Sequence, residues 1–322
     1  MYRCCLIWLW KQNIKDHLPA FQQTWEVDIV WWYDISEDAF ERIKDTWIKT
    51  FQDLDEMLNL KPDFVSIAIP HGSYYEIIQK CAEKWIHIFK EKPYWISLEE
   101  TQKIEKLLKK NDVKMQVCAQ KRFTHTYEFL TGLLSRIWNV YSIFVQNTLA
   151  LESVKSRRAD IKQAWWWSVL DLWYHYLDLL VGLFWLPKSV YSTLIYENDI
   201  DVHMKSQMKY VKRNWDKILC NAMISLTYYK KSDRFQIYGS DWVIKVEGNS
   251  ISLCDKQNNI IEEHNYLNNN IDCLNKQAKL FLDLIKFNKE NDLDTHLDTM
   301  KLIDAIYKSS DKDEVITLNP VL

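Results

Sequence analysis

Glycine is nearly missing from this chain: five residues in 322, where roughly 7% is usual. As written, no G-x-G run exists, so the letters contain no glycine-rich phosphate loop. Seven cysteines are scattered along the chain without a C-x-x-C pair. That argues against a disulfide framework and a structural zinc site, and suits reduced thiols of the cytoplasm. Long apolar runs are also lacking. Cys4–Trp10 and Leu179–Pro187 fall far short of the roughly 20 residues that a membrane span requires. The opening Met-Tyr-Arg-Cys-Cys-Leu-Ile has no signal-peptide layout. A net charge of -3 gives no electrostatic case for nucleic acid or an anionic membrane.

What the chain has instead is tryptophan, 16 residues of it. Glycine and tryptophan together make up about the share that glycine alone usually takes, roughly 7%.

The first 120 residues alternate strand and helix. Arg3–Leu9, Glu26–Tyr33, Ile48–Thr50, Asp63–Ile69, His87–Lys90 and Val113–Ala119 read as strands. Helical stretches lie near Asn13–Gln22, after Ser36, and at Ser73–Lys84 and Ser97–Lys110. This rhythm predicts parallel βαβ units in a doubly wound sheet. Residues 121–322 change character. A helix at Thr124–Ile137, a strand near Val140–Gln146 and a helix at Ser168–Phe184 lead into a nearly unbroken series of strands. These are Ser189–Ile195, His203–Val211, Ile218–Tyr228, Asp233–Gly239, Trp242–Glu247 and Ser250–Cys254, before helices near Asn269–Asn288 and Asp294–Ser309. Consecutive strands with short turns predict a mostly antiparallel sheet in an α+β domain. The expected division is 1–120 and 121–322, as 322 residues exceed what one core usually supports.

Several segments carry chemistry. Trp8 and Trp10 follow the first strand, and Gln12 and Asn13 open the first helix. Glycines at 8 and 10 would make this a dinucleotide turn; tryptophans there read equally as indoles packed at a strand end. Asp34 ends the second strand, where a carboxylate can hold ribose hydroxyls, or can be an ordinary turn residue. Ser66-Ile67-Ala68-Ile69-Pro70-His71 closes the fourth strand, and Glu91-Lys92-Pro93 ends the fifth. A lysine fixed between Glu and Pro at a strand end is a better candidate for a reactive site than a surface charge. Asp171 and His175 stand four apart on the helix expected over Ser168–Phe184, side by side on one face. Histidine suits a general base, and the carboxylate can orient a hydroxyl. A helix-stabilising pair, or half of a metal site, has the same spacing. A metal lacks a suitably spaced third ligand.

In its motif order the chain resembles the Gfo/Idh/MocA oxidoreductases, the family of glucose–fructose oxidoreductase and inositol dehydrogenase. The resemblance runs through I-A-I-P, I-F-K-E-K-P, S-L-E-E-T-Q-K-I and Q-K-R-F. It continues with Arg158-Ala159-Asp160, the segment Ala164 to His175, and Ala305-Ile306-Tyr307-Lys308-Ser309. It implies a Rossmann domain, a C-terminal domain with an open sheet, and hydride transfer between NAD (NADP being possible) and a secondary alcohol of a sugar or cyclitol. Lys92, Asp171 and His175 would be catalytic, with His175 as base. Trp8, Trp10, Gln12, Asn13, Asp34, Ile69, Pro70, His71 and Glu91 would line the cofactor site, and Asp34 favours NAD over NADP. Arg122, Arg157 and Arg158 could serve an anionic substrate. A homodimer or homotetramer through the C-terminal sheet is expected, with no nucleic-acid or membrane partner. Two alternatives are a dinucleotide-binding regulator without catalysis and an NAD-dependent glycosidase.

Trp8, Trp10, Trp165, Trp166, Trp167 and Trp173 stand where this family has glycine. Trp25, Trp47, Trp85, Trp138, Trp185, Trp215 and Trp242 stand where turns or helix ends favour it. The expectation is that most are glycines written through the wrong code, since UGA means glycine in some bacterial lineages and tryptophan in another code. Taken literally, a dozen forced tryptophans at about 1–3 kcal/mol each would exceed a domain's stability of roughly 5–15 kcal/mol.

Overall fold

The structure, a computed structural model, describes residues 1–8, 12–41, 43–44, 46, 48–69, 74–137, 139–150, 168–212, 214 and 216–320. They form two compact units. One comprises residues 1–123 and 269–294; the other holds the described residues of 124–268 together with 295–320.

The first unit is built on a six-stranded sheet: β1 (Tyr2–Ile7), β2 (Val27–Tyr33), β3 (Lys49–Phe51), β4 (Phe64–Ile67), β5 (His87–Glu91) and β6 (Met115–Cys118). Its order is β3-β2-β1-β4-β5-β6, and all neighbours pair in parallel. This is the doubly wound arrangement, with the strand order reversing between β1 and β4. The central strands are covered on both faces: Cys4 to Ile7 and Phe64 to Ile67 are all buried. That is why they read as continuous apolar runs and not as alternating ones. A π-helical turn (Asn13–His17) runs into α1 (Leu18–Gln22) after β1. Then come α2 (Glu37–Glu41), α3 (Leu54–Asn59), α4 (Tyr74–Glu83) and α5 (Leu98–Asn111).

The second unit has α6 (His125–Leu134) and β7 (Ser142–Ala150), then α7 (Ser168–Asp171) and α8 (Tyr174–Phe184). Strands β8 (Ser189–Glu197), β9 (Ile200–Val211), β10 (Lys217–Ser225), β11 (Thr227–Tyr238), β12 (Val243–Glu247), β13 (Ser250–Cys254) and β14 (Ile260–Asn265) follow. After α9 (Asn270–Lys286) and α10 (Asp294–Lys312), β15 (Ile316–Thr317) closes the sheet. The nine-stranded order is β14-β13-β12-β11-β7-β10-β9-β8-β15, antiparallel except where β7 meets β10. Along β8 and β9 burial alternates, so one face is packed and the other lies open. α10 is pinned to β8: Ser309 Oγ accepts from Ser192 N at 2.9 Å, and Ser310 Oγ from Leu194 N at 3.0 Å.

α9 lies more than 150 residues beyond β6 in sequence, yet it belongs to the first unit. Its Phe281 joins Phe21, Phe64 and Phe89 in one aromatic cluster, with ring centroids 5.0–5.6 Å apart. Asn275 Nδ2 donates to Ala20 O at 2.9 Å, and Gln277 Oε1 accepts from Ala119 N at 2.8 Å. Among the described residues no helix is long and apolar enough to cross a membrane.

The doubly wound and antiparallel sheets are as the sequence predicts, although the sequence pattern does not announce strands β14 and β15, and other differences are local. The apolar run Ile218–Tyr228 is not one strand: it breaks at Leu226 between β10 and β11. The helix expected over Ser168–Phe184 is interrupted at Leu172–Trp173. α3, which the sequence pattern does not announce, is set by Asp53, whose side chain accepts from Asp55 N and Glu56 N.

Four described tryptophans adopt left-handed backbone: Trp8 (φ 75°), Trp25 (φ 60°), Trp85 (φ 57°) and Trp185 (φ 55°). Trp185 also has ψ -171°, a region essentially reserved for glycine. Trp85 closes α4 in a Schellman arrangement, with Ile86 N on Cys81 O at 2.9 Å and Trp85 N on Ala82 O at 3.1 Å. Trp25 and Trp85 leave their indoles 86% and 70% exposed, so packing does not compensate the backbone. Trp173 (φ -96°) and Trp242 fall outside this set. Trp173 is instead fully buried, with no partner for its indole N–H among the described residues. Trp10, Trp47, Trp138, Trp165, Trp166, Trp167 and Trp215 lie outside the described residues. Trp85→Gly is predicted to raise stability by about 1 kcal/mol in urea unfolding, since it removes only a left-handed side chain. A loss of similar size would show that the indole contributes there.

Candidate active site

In a parallel sheet every strand ends at the same edge, and here that edge collects the sequence candidates of the first unit. β1 ends at Ile7 and turns at Trp8, whose N–H donates to Tyr33 O of β2 at 2.7 Å. Asn13 closes the turn from the helix side. Its buried Nδ2 donates to Ile7 O at 2.8 Å and to Trp8 O at 2.7 Å. Gln12 precedes it with helical backbone, at the start of the first helical turn. Asp34, just past β2, is buried, and its Oδ1 accepts from Ser36 N at 2.9 Å. Ile69 is buried two residues past β4. Pro70 and His71 lie outside the described residues. β5 ends at Glu91, and Lys92 follows, joined to Pro93 by a cis peptide. Arg122 lies in the 3-10 turn Gln120–Phe123 beyond β6. Arg157 and Arg158 are outside the described residues.

Behind this edge runs a buried polar chain that sequence reasoning missed. His17 is fully buried; its Nδ1 lies 2.7 Å from Ser66 Oγ and its Nε2 2.8 Å from Glu91 Oε1. A carboxylate only accepts, so Nε2 carries a proton toward Glu91. Gln120 Nε2 donates to the same Glu91 oxygen at 3.0 Å. Glu91 is thus held from two elements, and Ser66 Oγ lies 3.4 Å from Asn13 Oδ1 of the turn. Cys118 brings its sulfur within 4.8 Å of the His17 and Glu91 donor atoms. Burial pushes that thiol well up, and both imidazole nitrogens are engaged, so the cluster is a hydrogen-bonded support. A signal was available: Asn13 and His17 are polar residues four apart on a helix that packs inward.

Lys90 is the second buried surprise. It is completely enclosed, and its Nζ donates to Glu91 O at 2.8 Å, Pro93 O at 2.5 Å and Tyr94 O at 3.3 Å. The Tyr74 and Trp95 rings lie 4.2 and 5.8 Å from it. Burial pulls its pKa down to about 7, opposed by Cys118 and Glu91 and assisted by Lys92.

The second unit holds the other two candidates. Asp171 is the last residue of α7 and buried; His175 is half-buried in the first turn of α8. They do not share one helix, contrary to the sequence expectation. Trp173, at φ -96° and ψ -4°, separates the two, and α8 restarts with Tyr176 N and Leu177 N on Trp173 O. α7 is anchored by Asp201, whose Oδ2 accepts from Val169 N at 2.9 Å and from Tyr307 OH at 3.0 Å. α8 is anchored by the buried His296, whose Nδ1 lies 3.0 Å from Tyr174 OH and 3.1 Å from Asp178 Oδ1. The residue pair is therefore set on two short helices with separate buried supports.

Comparison with known proteins bears on this geometry. The profile of the oxidoreductase family with NAD-binding Rossmann fold, Gfo/Idh/MocA, matches residues 12–119. Residues 12–119 thus match the NAD-binding Rossmann domain of this family. The whole fold is shared with solved structures at low identity. A levoglucosan dehydrogenase in complex with NADH and levoglucosan is 14% identical, with a TM-score of 0.86, covering 98% of this chain and 99% of that one. An oxidoreductase from Agrobacterium radiobacter, in complex with NAD+, L-tartaric acid and magnesium, is 14% identical with a TM-score of 0.85, covering 98% of each chain. The WlbA dehydrogenase from Bordetella pertussis, in complex with NADH and UDP-GlcNAcA, is 18% identical with a TM-score of 0.78, covering 99% and 98%. No curated protein sequence matches the chain.

NAD is the cofactor, and the backbone of the first unit fits it. A helix start beside the β1 turn offers N–H groups to phosphate, and a carboxylate follows β2. The side chain at Trp8 is the departure, because φ 75° is a conformation that glycine supplies at no steric cost.

A pH prediction follows from Lys90, which faces Glu91, Lys92 and Tyr94 from its own segment, Tyr74 from α4 and Cys118 from β6. Between about pH 7 and 10.5 the unfolded chain keeps a proton that folded Lys90 releases, so stability rises across that window. Unfolding free energies of wild type and Lys90→Met should therefore shift in favour of wild type from pH 7 to 10. A difference that does not change with pH would show that Lys90 stays charged.

Proposed function

We propose that this chain oxidises a secondary alcohol of a sugar, sugar derivative or cyclitol, reversibly, with NAD. The observation that carries the reading is the position of Lys92. It leaves β5 at the strand edge that also carries the β1 turn and Asp34, and the preceding Glu91 is locked in place. Relatives of the same fold crystallised with levoglucosan or UDP-GlcNAcA support a carbohydrate substrate.

NAD supplies the hydride acceptor. His175 takes the hydroxyl proton as the carbon–oxygen double bond forms, Asp171 orients that hydroxyl, and Lys92 stabilises the developing alkoxide with its charge. Imidazole is suited to this exchange near neutral pH. Asp34 favours NAD over NADP, since a carboxylate repels a 2′-phosphate.

A screen of levoglucosan, myo-inositol, glucose and UDP-N-acetylglucosamine, following NADH formation, tests the class. In the best substrate, His175→Ala is predicted to lower kcat by about 100-fold or more, the scale of general-base catalysis. NADH affinity, read from its fluorescence, should stay unchanged. Turnover that survives the substitution removes His175 from the role of base.

A further inference from the structure

We propose that Lys90 is a positioning residue: its amine ties the backbone on both sides of Lys92 and so sets where the Lys92 side chain starts. The inference rests on the role given to Lys92 above. Protonated, below about pH 7, the amine has three N–H donors and no acceptor; the neutral form keeps two. Here three carbonyls receive them, one before Lys92 (Glu91) and two after it (Pro93, Tyr94). The turn is thus folded around a single nitrogen. Strand geometry alone does not do this, because the pairing of β5 with β6 ends at Glu91. The fully buried side chain has no path to solvent or substrate, so Lys90 acts on chemistry only through the turn. Leaving a lysine uncompensated in a protein interior is costly, and an apolar residue would fill a strand between β4 and β6 more cheaply. The Tyr74 and Trp95 rings complete the enclosure on the side away from the strand, at 4.2 and 5.8 Å.

A double-mutant cycle decides the matter, using Lys90→Met, Lys92→Met and the pair. Turnover is read at about pH 6, where Lys90 is protonated, with the substrate selected by the screen; NADH fluorescence gives cofactor affinity and thermal melting gives fold integrity. Lys90→Met should lower kcat about 10- to 100-fold, as ångström-scale misplacement of a reacting group does. KM and NADH affinity should stay within about threefold, and the pair should be no slower than Lys92→Met alone. Lys90→Arg, which keeps the charge and donors, should recover part of the loss.

Effects of the two substitutions that multiply would overturn the inference while leaving the role of Lys92 intact. Equal losses in kcat, NADH affinity and melting temperature in both Lys90 variants would assign Lys90 to folding alone and overturn it too. Wild-type turnover in Lys92→Met would remove the role of Lys92 itself, and this inference with it.

Discussion

The turn after β1 is the constraint on which the rest of the first unit depends. Two backbone carbonyls, of Ile7 and Trp8, point into the protein and are satisfied by one amide, Asn13 Nδ2. Buried carbonyls without partners are costly, so Asn13 fixes where the helix starts relative to the strand. Position 8, one residue past β1, is left-handed, with φ 75°. From Asn13 the polar chain continues through Ser66 and His17 to Glu91, so the turn and the lysine-bearing strand end share one support. Lys90 holds the other side of that strand end. The β1 turn and Lys92 are consequently placed by the same interior.

This arrangement is asymmetric between the units. In the first, the candidates sit at strand ends and are supported from the core of a parallel sheet. In the second, Asp171 and His175 sit on two short helices with separate buried supports: Asp201 under α7, and His296, which contacts Tyr174 and Asp178, under α8. Both supports are ion- or hydrogen-bonded inside the protein, where such contacts orient strongly and cost much to break.

The sequence made the architecture legible wherever burial is two-sided. Cys4 to Ile7 and Phe64 to Ile67 are apolar or nearly so because both faces are covered, and the strand–helix rhythm did the rest. It failed where one letter has two uses. The run Ile218–Tyr228 reads as one strand, and the break falls at an apolar residue, Leu226, that leaves no mark in it. Trp173 is compatible with a helix by propensity, and its interruption of α7 and α8 depends on tertiary packing. Lys90 and His17 escaped notice because charged and polar residues are ordinarily read as surface, and only their partners reveal that they are enclosed. The tryptophans are the reverse case. Glycine sites were inferred from pattern alone, and the left-handed backbone at Trp8, Trp25, Trp85 and Trp185 agrees, whereas Trp173 and Trp242 do not have that backbone.

The β1 turn is the proposed seat of the cofactor. Calorimetric titration of NADH into the chain with Trp8→Gly and Trp10→Gly, beside the chain as written, tests this directly. The glycine form is predicted to bind NADH at least about tenfold to a hundredfold more tightly, the equivalent of relieving roughly 1–3 kcal/mol of overpacking. Equal affinity in the two forms, or none in either, would contradict it.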